Sequence, residues 1–132
     1  MRAQIITDKT QSEFNNRRLR VKQAENNFRR AVNLSNRDKK EEAIELGREA
    51  LFHARYHSPA LLVDCHTLMA TLHMDLEKFD IARIHVWEAM ELLDPSSFRF
   101  GDDMAYLKAL QKSIDKKAGR SIAQSDSIKK VA

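Results

Sequence analysis

The chain has 132 residues, of which 42% are hydrophobic and 32% charged, a composition typical of a single soluble globular domain. Three Gly and two Pro are too few for a loop-rich β-sandwich or a collagenous chain, and one cysteine excludes an internal disulfide framework. No apolar run approaches the roughly 18 residues of a membrane span, and residues 1–8 lack the apolar centre of a signal peptide. The composition predicts a soluble helical protein of a reducing compartment, which we expect to be the cytoplasm.

The formal net charge of +4 is distributed unevenly along the chain. Residues 1–30 carry a net charge of +5, residues 31–114 carry −4 and residues 115–132 carry +3. The basic side chains near the start follow one predicted helix: Arg17, Arg18, Arg20, Lys22, Arg29 and Arg30. Such a basic end is typical of an arm that binds nucleic acid or a membrane surface, although a solvated helix face is the simpler interpretation.

Apolar side chains recur at helical spacing in five segments, and no segment alternates with period two, so the sequence predicts an all-α fold. A capping box, Thr10 with Glu13, indicates the start of the first helix, and Ser58-Pro59 indicates the start of the third. Gly119 indicates the end of the last helix. The predicted helices cover residues 10–36, 39–57, 59–76, 79–93 and 103–118.

The two ends of the chain lack a sustained apolar stripe. Residues 1–9 are expected to form an N-terminal arm, and the polar residues 120–132 a flexible C-terminal tail. The predicted helical domain therefore covers residues 10–119.

Small residues repeat along the sequence at an interval of 39 residues. The shift places Ala31 on Ala70 and then on Ala109, and it also aligns Ala43 with Ala82, Ala50 with Ala89, Glu49 with Glu88, Leu51 with Met90 and Lys39 with Lys78. Alanines at fixed places in paired helices allow the two helices to approach closely. Helical hairpins repeated in this way bury their apolar faces by stacking on one another, which predicts a short solenoid.

These residues resemble the tetratricopeptide repeat family over about residues 24–118, as two units and a half-unit cap. Met69-Ala70 is similar to the large–small pair of the family's first helix, and residues 79–82 resemble the aromatic–acid–x–Ala opening of its second helix. Residues 89–95 are similar to the Ala-Leu-Glu-Leu-Asp-Pro ending, with one extra residue. The period of 39 exceeds the usual value of about 34, and Lys40 stands where an aromatic residue is usual. An antiparallel helical bundle with coincidental alanines is the structural alternative.

All five histidines lie between residues 53 and 85: His53, His57, His66, His73 and His85. His53 and His57 have the i,i+4 spacing that can chelate a divalent metal, but no acid is placed as in a zinc-hydrolase motif. We therefore interpret the histidines as packing or surface residues, with no metal site and no cofactor. A buried histidine would lose stability on acidification, since protonation charges a buried group.

The sequence offers no catalytic constellation. Cys65 lies on an apolar helix without a Lys or Arg nearby, which predicts a buried, inert thiol. No Ser-His-Asp order, glycine-rich phosphate loop or pair of carboxylates is recognisable. We expect that the protein is not an enzyme.

The family resemblance implies a concave groove lined by the first helix of each unit. Its lining would comprise Glu25, Phe28, Val32, Asp64, Thr67, Thr71, Met74, Tyr106 and Leu110. Such an apolar channel with scattered acids suits an amphipathic helix or an extended apolar peptide. The Lys and Asn with which one subfamily clamps a carboxylate are replaced by Phe28 and Val32. Alternatively, the lining residues cover one another or are covered by Ile5 and Ile6.

Trp87 falls where the repeat usually exposes a polar side chain. Either Phe98 and Phe100 fold back over the indole, or it forms a convex contact, such as a dimer seam.

The sequence therefore predicts a non-enzymatic protein–protein interaction module, an adaptor or chaperone that holds a helical or extended segment of another protein and that forms a homodimer if its end faces pair. No membrane insertion is expected. The alternative is a nucleic-acid-binding or regulatory protein that uses the Arg-rich first helix and the tail with Lys129-Lys130. That alternative predicts an affinity that falls steeply with salt.

Overall fold

The structure is a computed structural model that describes the backbone of residues 2–55 and 58–131 and the side chains of residues 11–13, 15–55 and 58–120. The described residues form an all-α fold, as predicted, with five helices and no strand. The helices are α1 (Arg2–Asn36), α2 (Lys40–Ala54), α3 (Pro59–Asp75), α4 (Phe79–Leu92) and α5 (Phe100–Val131). The chain divides into two compact units, residues 1–62 and residues 63–132.

The turn between α1 and α2 has the same geometry as the turn between α3 and α4. Asp38 and Glu77, which are 39 residues apart, adopt the left-handed conformation with φ of 62° and 60°. The next residue donates its backbone N–H five residues back in each turn, from Lys39 to the carbonyl of Leu34 at 2.9 Å and from Lys78 to that of His73 at 2.8 Å. This is the 6→1 hydrogen bond of a Schellman ending. The predicted interval of 39 residues is confirmed for these two turns.

In unit 1, α1 packs against α2 through small side chains. The fully buried residues of α1 include Ala24 and Ala31, seven residues apart on one face. The buried residues of α2 are Ala43, Ile44, Gly47, Ala50 and Ala54. Small side chains on both helices permit a close approach of the two backbones.

In unit 2, the core contains larger side chains and joins three helices. Its buried cluster consists of Ala70, Met74, Ala82, Val86, Ala89, Leu107, Leu110 and Ile114. Arg83 links α4 to α5, because its Nε–H donates a hydrogen bond to Asp115 Oδ1 at 2.9 Å. Lys117 of α5 lies 3.6 Å from a carboxylate oxygen of Asp75 at the end of α3.

The start of α3 agrees with the sequence prediction. Pro59 is its first residue, where the missing N–H of proline leaves no donor unsatisfied. The backbone N–H of Leu61 donates to Ser58 Oγ at 3.4 Å, so the serine caps the helix.

The ends of α1 and α5 differ from the sequence prediction. Helix α1 begins at Arg2 rather than near Thr10, and α5 begins at Phe100 and continues to Val131 rather than ending at Gly119. Residues 1–36 contain neither Gly nor Pro, so nothing in the sequence interrupts the helix. A Schellman ending at a glycine requires a positive φ, and none of the described glycines has one.

The third alanine of the predicted repeat is a correction to the sequence analysis. Ala31 and Ala70 are fully buried, but Ala109 is exposed. Helix α5 continues past residue 116, where a third copy of the turn would lie, so Ala109 has no following helix against which it must fit. The buried face of α5 carries Leu107, Leu110, Ile114 and Ala118 instead.

None of the helices in the described part of the chain combines the length and the apolar character that crossing a membrane requires.

Candidate functional site

The residues of the predicted groove are divided between the two units. Glu25, Phe28 and Val32 lie on α1 in unit 1; Glu25 is exposed and the other two are half-buried. Asp64 of unit 2 is exposed, and Tyr106 has 60% of its surface exposed. The groove remains a prediction. The side chains of Ile5 and Ile6, which were expected to cover it in the alternative interpretation, lie outside the described residues.

Four of the predicted groove residues make contacts within unit 2. Met74 and Leu110 belong to the buried cluster, with 8% exposure each, so they present little surface to a partner. The Thr67 hydroxyl donates to the carbonyl of Val63 at 2.7 Å, and the Thr71 hydroxyl donates to that of Thr67 at 3.1 Å. These hydroxyls are satisfied by the preceding turn of α3.

Trp87 is exposed, with 62% of its surface accessible. The expectation that Phe98 folds over it is wrong. Phe98 is 96% exposed and therefore covers nothing. Its loop is held by Asp94, whose Oδ1 accepts hydrogen bonds from the backbone N–H and the hydroxyl of Ser96 at 3.0 and 2.8 Å. Phe100, the first residue of α5, is half-buried.

Trp87 is part of an exposed apolar stripe along α4. We define the α4 stripe as Ile81, Ile84 and Trp87, which are three residues apart and thus follow one side of the helix. Ile84 is 55% exposed, and Ile81 is 42% exposed. The opposite side of α4 carries the buried Ala82, Val86 and Ala89. An exposed stripe of this kind on an otherwise amphipathic helix indicates a contact surface.

The first hairpin carries charged residues at the positions that match the α4 stripe. Thirty-nine residues before Ile81, Ile84 and Trp87 stand Glu42, Glu45 and Arg48, all exposed. The two hairpins share their turn and their buried alanines, so the hairpin itself does not require apolar residues here. The α4 stripe therefore serves something other than the packing of its own hairpin.

The surroundings of the α4 stripe are acidic. Asp80, Glu88 and Glu91 lie on the same side of α4 at helical spacing. Arg83 is the only Lys or Arg of this helix, and its guanidinium is engaged by Asp80 at 3.1 Å and Asp115 at 2.9 Å. The three carboxylates outnumber the single Arg of the helix, so this side of α4 has an excess of negative charge that attracts a positively charged partner.

A second candidate site lies where α3 and α4 face each other in unit 2. His66 Nδ1 of α3 lies 3.0 Å from His85 Nδ1 of α4 and 3.3 Å from Glu88 Oε2. One ligand atom from each of these three residues lies within 4.8 Å of the other two. We call these residues the histidine cluster. All three are half-buried, so solvent reaches the cluster.

His73 supports the histidine cluster from the buried side. Its Nδ1–H donates to the carbonyl of Met69 at 2.8 Å, which fixes the tautomer because a carbonyl only accepts. Its ring stacks on that of His85, with centroids 5.3 Å apart and planes inclined by 26°. Burial lowers the pKa of His66, and Glu88 opposes this shift. Burial of the ring therefore favours the neutral form of the His66 imidazole.

Sequence analysis missed the histidine cluster and considered another pair of histidines. His53 is half-buried on α2, where its ring meets Phe52 edge-on at 5.5 Å, and His57 lies outside the described residues. His66 and His85 are 19 residues apart, so no local spacing rule connects them. The signal that could have found them is their placement before and after the α3–α4 turn, which brings them level across the hairpin.

The predicted burial of the thiol is confirmed. Cys65 is a free, fully buried cysteine. Burial raises the pKa of its thiol to about 12, and the charge of Asp64 adds to the shift. The thiolate that a nucleophile needs is therefore scarce at neutral pH.

The basic side chains of α1 are all exposed: Arg17, Arg18, Arg20, Lys22, Arg29 and Arg30. Exposure agrees with a solvated helix face and equally with a nucleic-acid-binding arm, so that alternative stays a prediction. The side chains of Lys129 and Lys130 lie outside the described residues.

Comparison of the chain with protein-family models, with curated proteins and with solved structures gives no match in any of the three. The resemblance to tetratricopeptide repeats remains a prediction from the residues quoted above.

Proposed function

We propose that the protein is a non-catalytic interaction module, an adaptor or chaperone, whose α4 stripe binds an amphipathic, basic helix of another protein. The observation that carries the proposal is the exposed row Ile81, Ile84 and Trp87, at positions where the first hairpin has charged residues. Burial of a Trp and two Ile side chains at the centre of a contact supplies the type of anchor that dominates binding energy.

A helix is the form of partner that fits the α4 stripe best. The stripe runs along the surface of a helix and offers side chains, whereas an extended peptide needs the free backbone groups of a strand edge. Side chains spaced by three and four residues on a partner helix can interdigitate with Ile81, Ile84 and Trp87 as ridges into grooves. Asp80, Glu88 and Glu91 favour Lys or Arg beside the apolar face of that partner.

A binding measurement with a defined peptide tests the proposal. The probe is a fluorescein-labelled peptide of about 18 residues, five helical turns, with Leu on one face and Lys beside it. Its anisotropy is titrated with the full chain. We expect saturable binding that weakens by about 30-fold or more in Ile84→Glu and in Trp87→Arg, since loss of a central anchor removes about 2 kcal/mol or more.

Matched controls distinguish binding at the α4 stripe from non-specific hydrophobic binding. The two substitutions introduce the residues that α2 carries at these positions, Glu45 and Arg48, so both are compatible with an exposed hairpin helix. Phe52→Ala removes an exposed aromatic ring on α2 and should leave the affinity unchanged. A peptide with Glu in place of Lys should bind more weakly than the basic one.

Two results would contradict the proposal. Equal affinity of the parent chain, Ile84→Glu and Trp87→Arg would show that the peptide binds elsewhere. If the free chain sediments as a dimer and Ile84→Glu makes it monomeric, the stripe binds a second copy of the chain rather than a different protein.

We also propose a cytoplasmic location, which the unpaired Cys65 thiol supports because disulfides are rare there.

A further inference from the structure

We propose that His66, His85 and Glu88 form a binding site for a divalent transition-metal ion, preferably zinc. The bound ion would link α3 to α4. This site is separate from the α4 stripe, and its function does not depend on the partner proposed above. Two imidazoles and a carboxylate are ligands that zinc accepts in proteins.

Two distances within the histidine cluster are close to those between the ligands of one metal ion. Zinc lies about 2.0–2.2 Å from nitrogen and oxygen ligands, so two ligands of a tetrahedral ion are about 3.3–3.6 Å apart. His66 Nδ1 lies 3.3 Å from Glu88 Oε2 and 3.0 Å from His85 Nδ1. The ligand atoms of His85 and Glu88 lie within 4.8 Å of each other, so side-chain adjustment can bring all three groups around one ion.

The protonation of the cluster also suits a metal. The contact between the two Nδ1 atoms needs one of them to carry a proton, because two lone pairs repel. A metal ion needs a lone pair on both, so this proton moves to a ring Nε2 or to solvent when the ion binds. The stacked ring of His73 limits the orientations that His85 can take.

Access and coordination number indicate an open site. The Glu88 side chain retains 43% of its exposure, which gives an ion a path from solvent. Three protein ligands leave at least one position of a tetrahedral ion for water or for another ligand.

The first hairpin shows that packing alone does not require these histidines. Thirty-nine residues before His66, His73 and His85 stand Asn27, Leu34 and Leu46. A hairpin with the same turn geometry thus forms with one amide and two leucines at these places. The matching glutamate, Glu49, is present in the first hairpin, but no histidine faces it at the matching positions. Histidine in the second hairpin is therefore explained better by ligand chemistry than by shape.

Zinc titration of the tag-free full chain tests the site. After treatment with a chelator and gel filtration, we expect one Zn²⁺ per chain by calorimetry and a Tm that rises with zinc, because the ion binds the folded state. His66→Asn and His85→Leu introduce the residues of the first hairpin and should lower the affinity by at least about tenfold. Glu88→Gln should weaken binding while it preserves the side-chain shape.

The control is the double variant His53→Ala/His57→Ala, which removes the two histidines with i,i+4 spacing in the sequence. It should bind zinc as the parent chain does. Co²⁺ should give the intense visible absorption of a four-coordinate ion in the parent and in this control, and not in His66→Asn. Circular dichroism confirms that each variant is folded.

Three outcomes would overturn the proposal. They are no zinc-dependent heat or Tm shift in the parent chain, unchanged affinity in both His66→Asn and His85→Leu, and loss of binding in His53→Ala/His57→Ala alone. These results test the metal ligands, whereas Ile84→Glu and Trp87→Arg test the α4 stripe, so different variants distinguish failure of one proposal from failure of the other.

Discussion

The two helical hairpins have the same turn but different side chains around it. In the α1–α2 hairpin the buried residues are mainly small, and the outer side of α2 is charged. In the α3–α4 hairpin the buried cluster includes Met74 and Val86, the outer side of α4 is apolar, and histidines face each other between the helices. A repeated backbone is therefore no guide to repeated chemistry. The candidate sites lie where the second copy departs from the first.

The largest effect is expected when a large side chain is placed at the alanines of the repeat. Ala31→Leu and Ala70→Leu each insert a side chain at a fully buried position, so each should lower the free energy of unfolding by about 1–3 kcal/mol. Ala109→Leu, at the exposed third position, should change it by no more than about 0.5 kcal/mol. Denaturant unfolding followed by circular dichroism measures all three.

The three Ala→Leu variants test whether the two hairpins are equivalent. If Ala109→Leu destabilises the protein as much as Ala31→Leu, the third alanine is also enclosed and the repeat extends into α5. If Ala31→Leu is neutral while Ala70→Leu is not, the alanines of the two hairpins do not have equivalent surroundings.

A smaller effect is expected at the left-handed residues of the two turns. A residue with a Cβ is strained by about 1–2 kcal/mol at positive φ, whereas glycine adopts it freely but loses more chain entropy on folding. Asp38→Gly and Glu77→Gly should therefore each stabilise the protein, by about 0.5–1 kcal/mol. The gain should be larger at Glu77, because Asp tolerates this conformation better than Glu.

The alanine variants Asp38→Ala and Glu77→Ala are the matched controls, since they remove the same side chains without relieving the strain. They should lack the gain in thermal and denaturant unfolding. Destabilisation by glycine in either turn would show that the two turns are not held by the same backbone geometry.

The smallest effect concerns the way in which each hairpin ends. After α4, the N–H and the hydroxyl of Ser96 hold the pKa of Asp94 below its usual value, whereas the residue after α2, Arg55, is still helical. Ser96→Ala should raise the pKa of Asp94 only in part, because the backbone donor, which is the larger cause, remains. An NMR titration of the Asp94 carboxyl measures this shift.

The lowered pKa of Asp94 makes the free energy of unfolding depend on pH in the acid range. A carboxyl with a lowered folded-state pKa stabilises the fold above its unfolded-state pKa, and that contribution is lost as the pH falls through the folded-state value. Ser96→Ala should therefore make stability slightly less dependent on pH in the acid range. An unchanged or lower Asp94 pKa in Ser96→Ala would mean that the loop is not organised by this serine.

Sequence reasoning predicted the features that depend on local pattern. The predicted helix bounds placed the turns at residues 37–38 and 77–78, and Ser58-Pro59 located the start of α3, because these signals act within a few residues. It placed Ala109 wrongly, since an alanine on a helix carries no information about whether another helix follows and encloses it. It also placed the end of α5 at Gly119, because the cost of glycine within a helix, about 1 kcal/mol, does not stop a helix by itself.

The candidate sites could be predicted only in part. The repeat placed Trp87 at an outer position, but the sequence left open whether Phe98 and Phe100 cover the indole. The histidine cluster was missed because His66 and His85 meet through the pairing of two helices, which no spacing within one helix encodes. Met74 and Leu110 were placed in a groove because an apolar residue on a helix face has the same sequence pattern whether it lines a channel or fills a core.

The enclosure of Cys65 has a consequence for the protein under oxidation. The chain has one sulfhydryl group, and it lies on α3 with no surface exposed. Two folded copies therefore cannot become covalently cross-linked through sulfur unless α3 first opens. A cross-linked dimer on a non-reducing gel would thus record how often unit 2 has opened, and it would say nothing about how two intact copies associate.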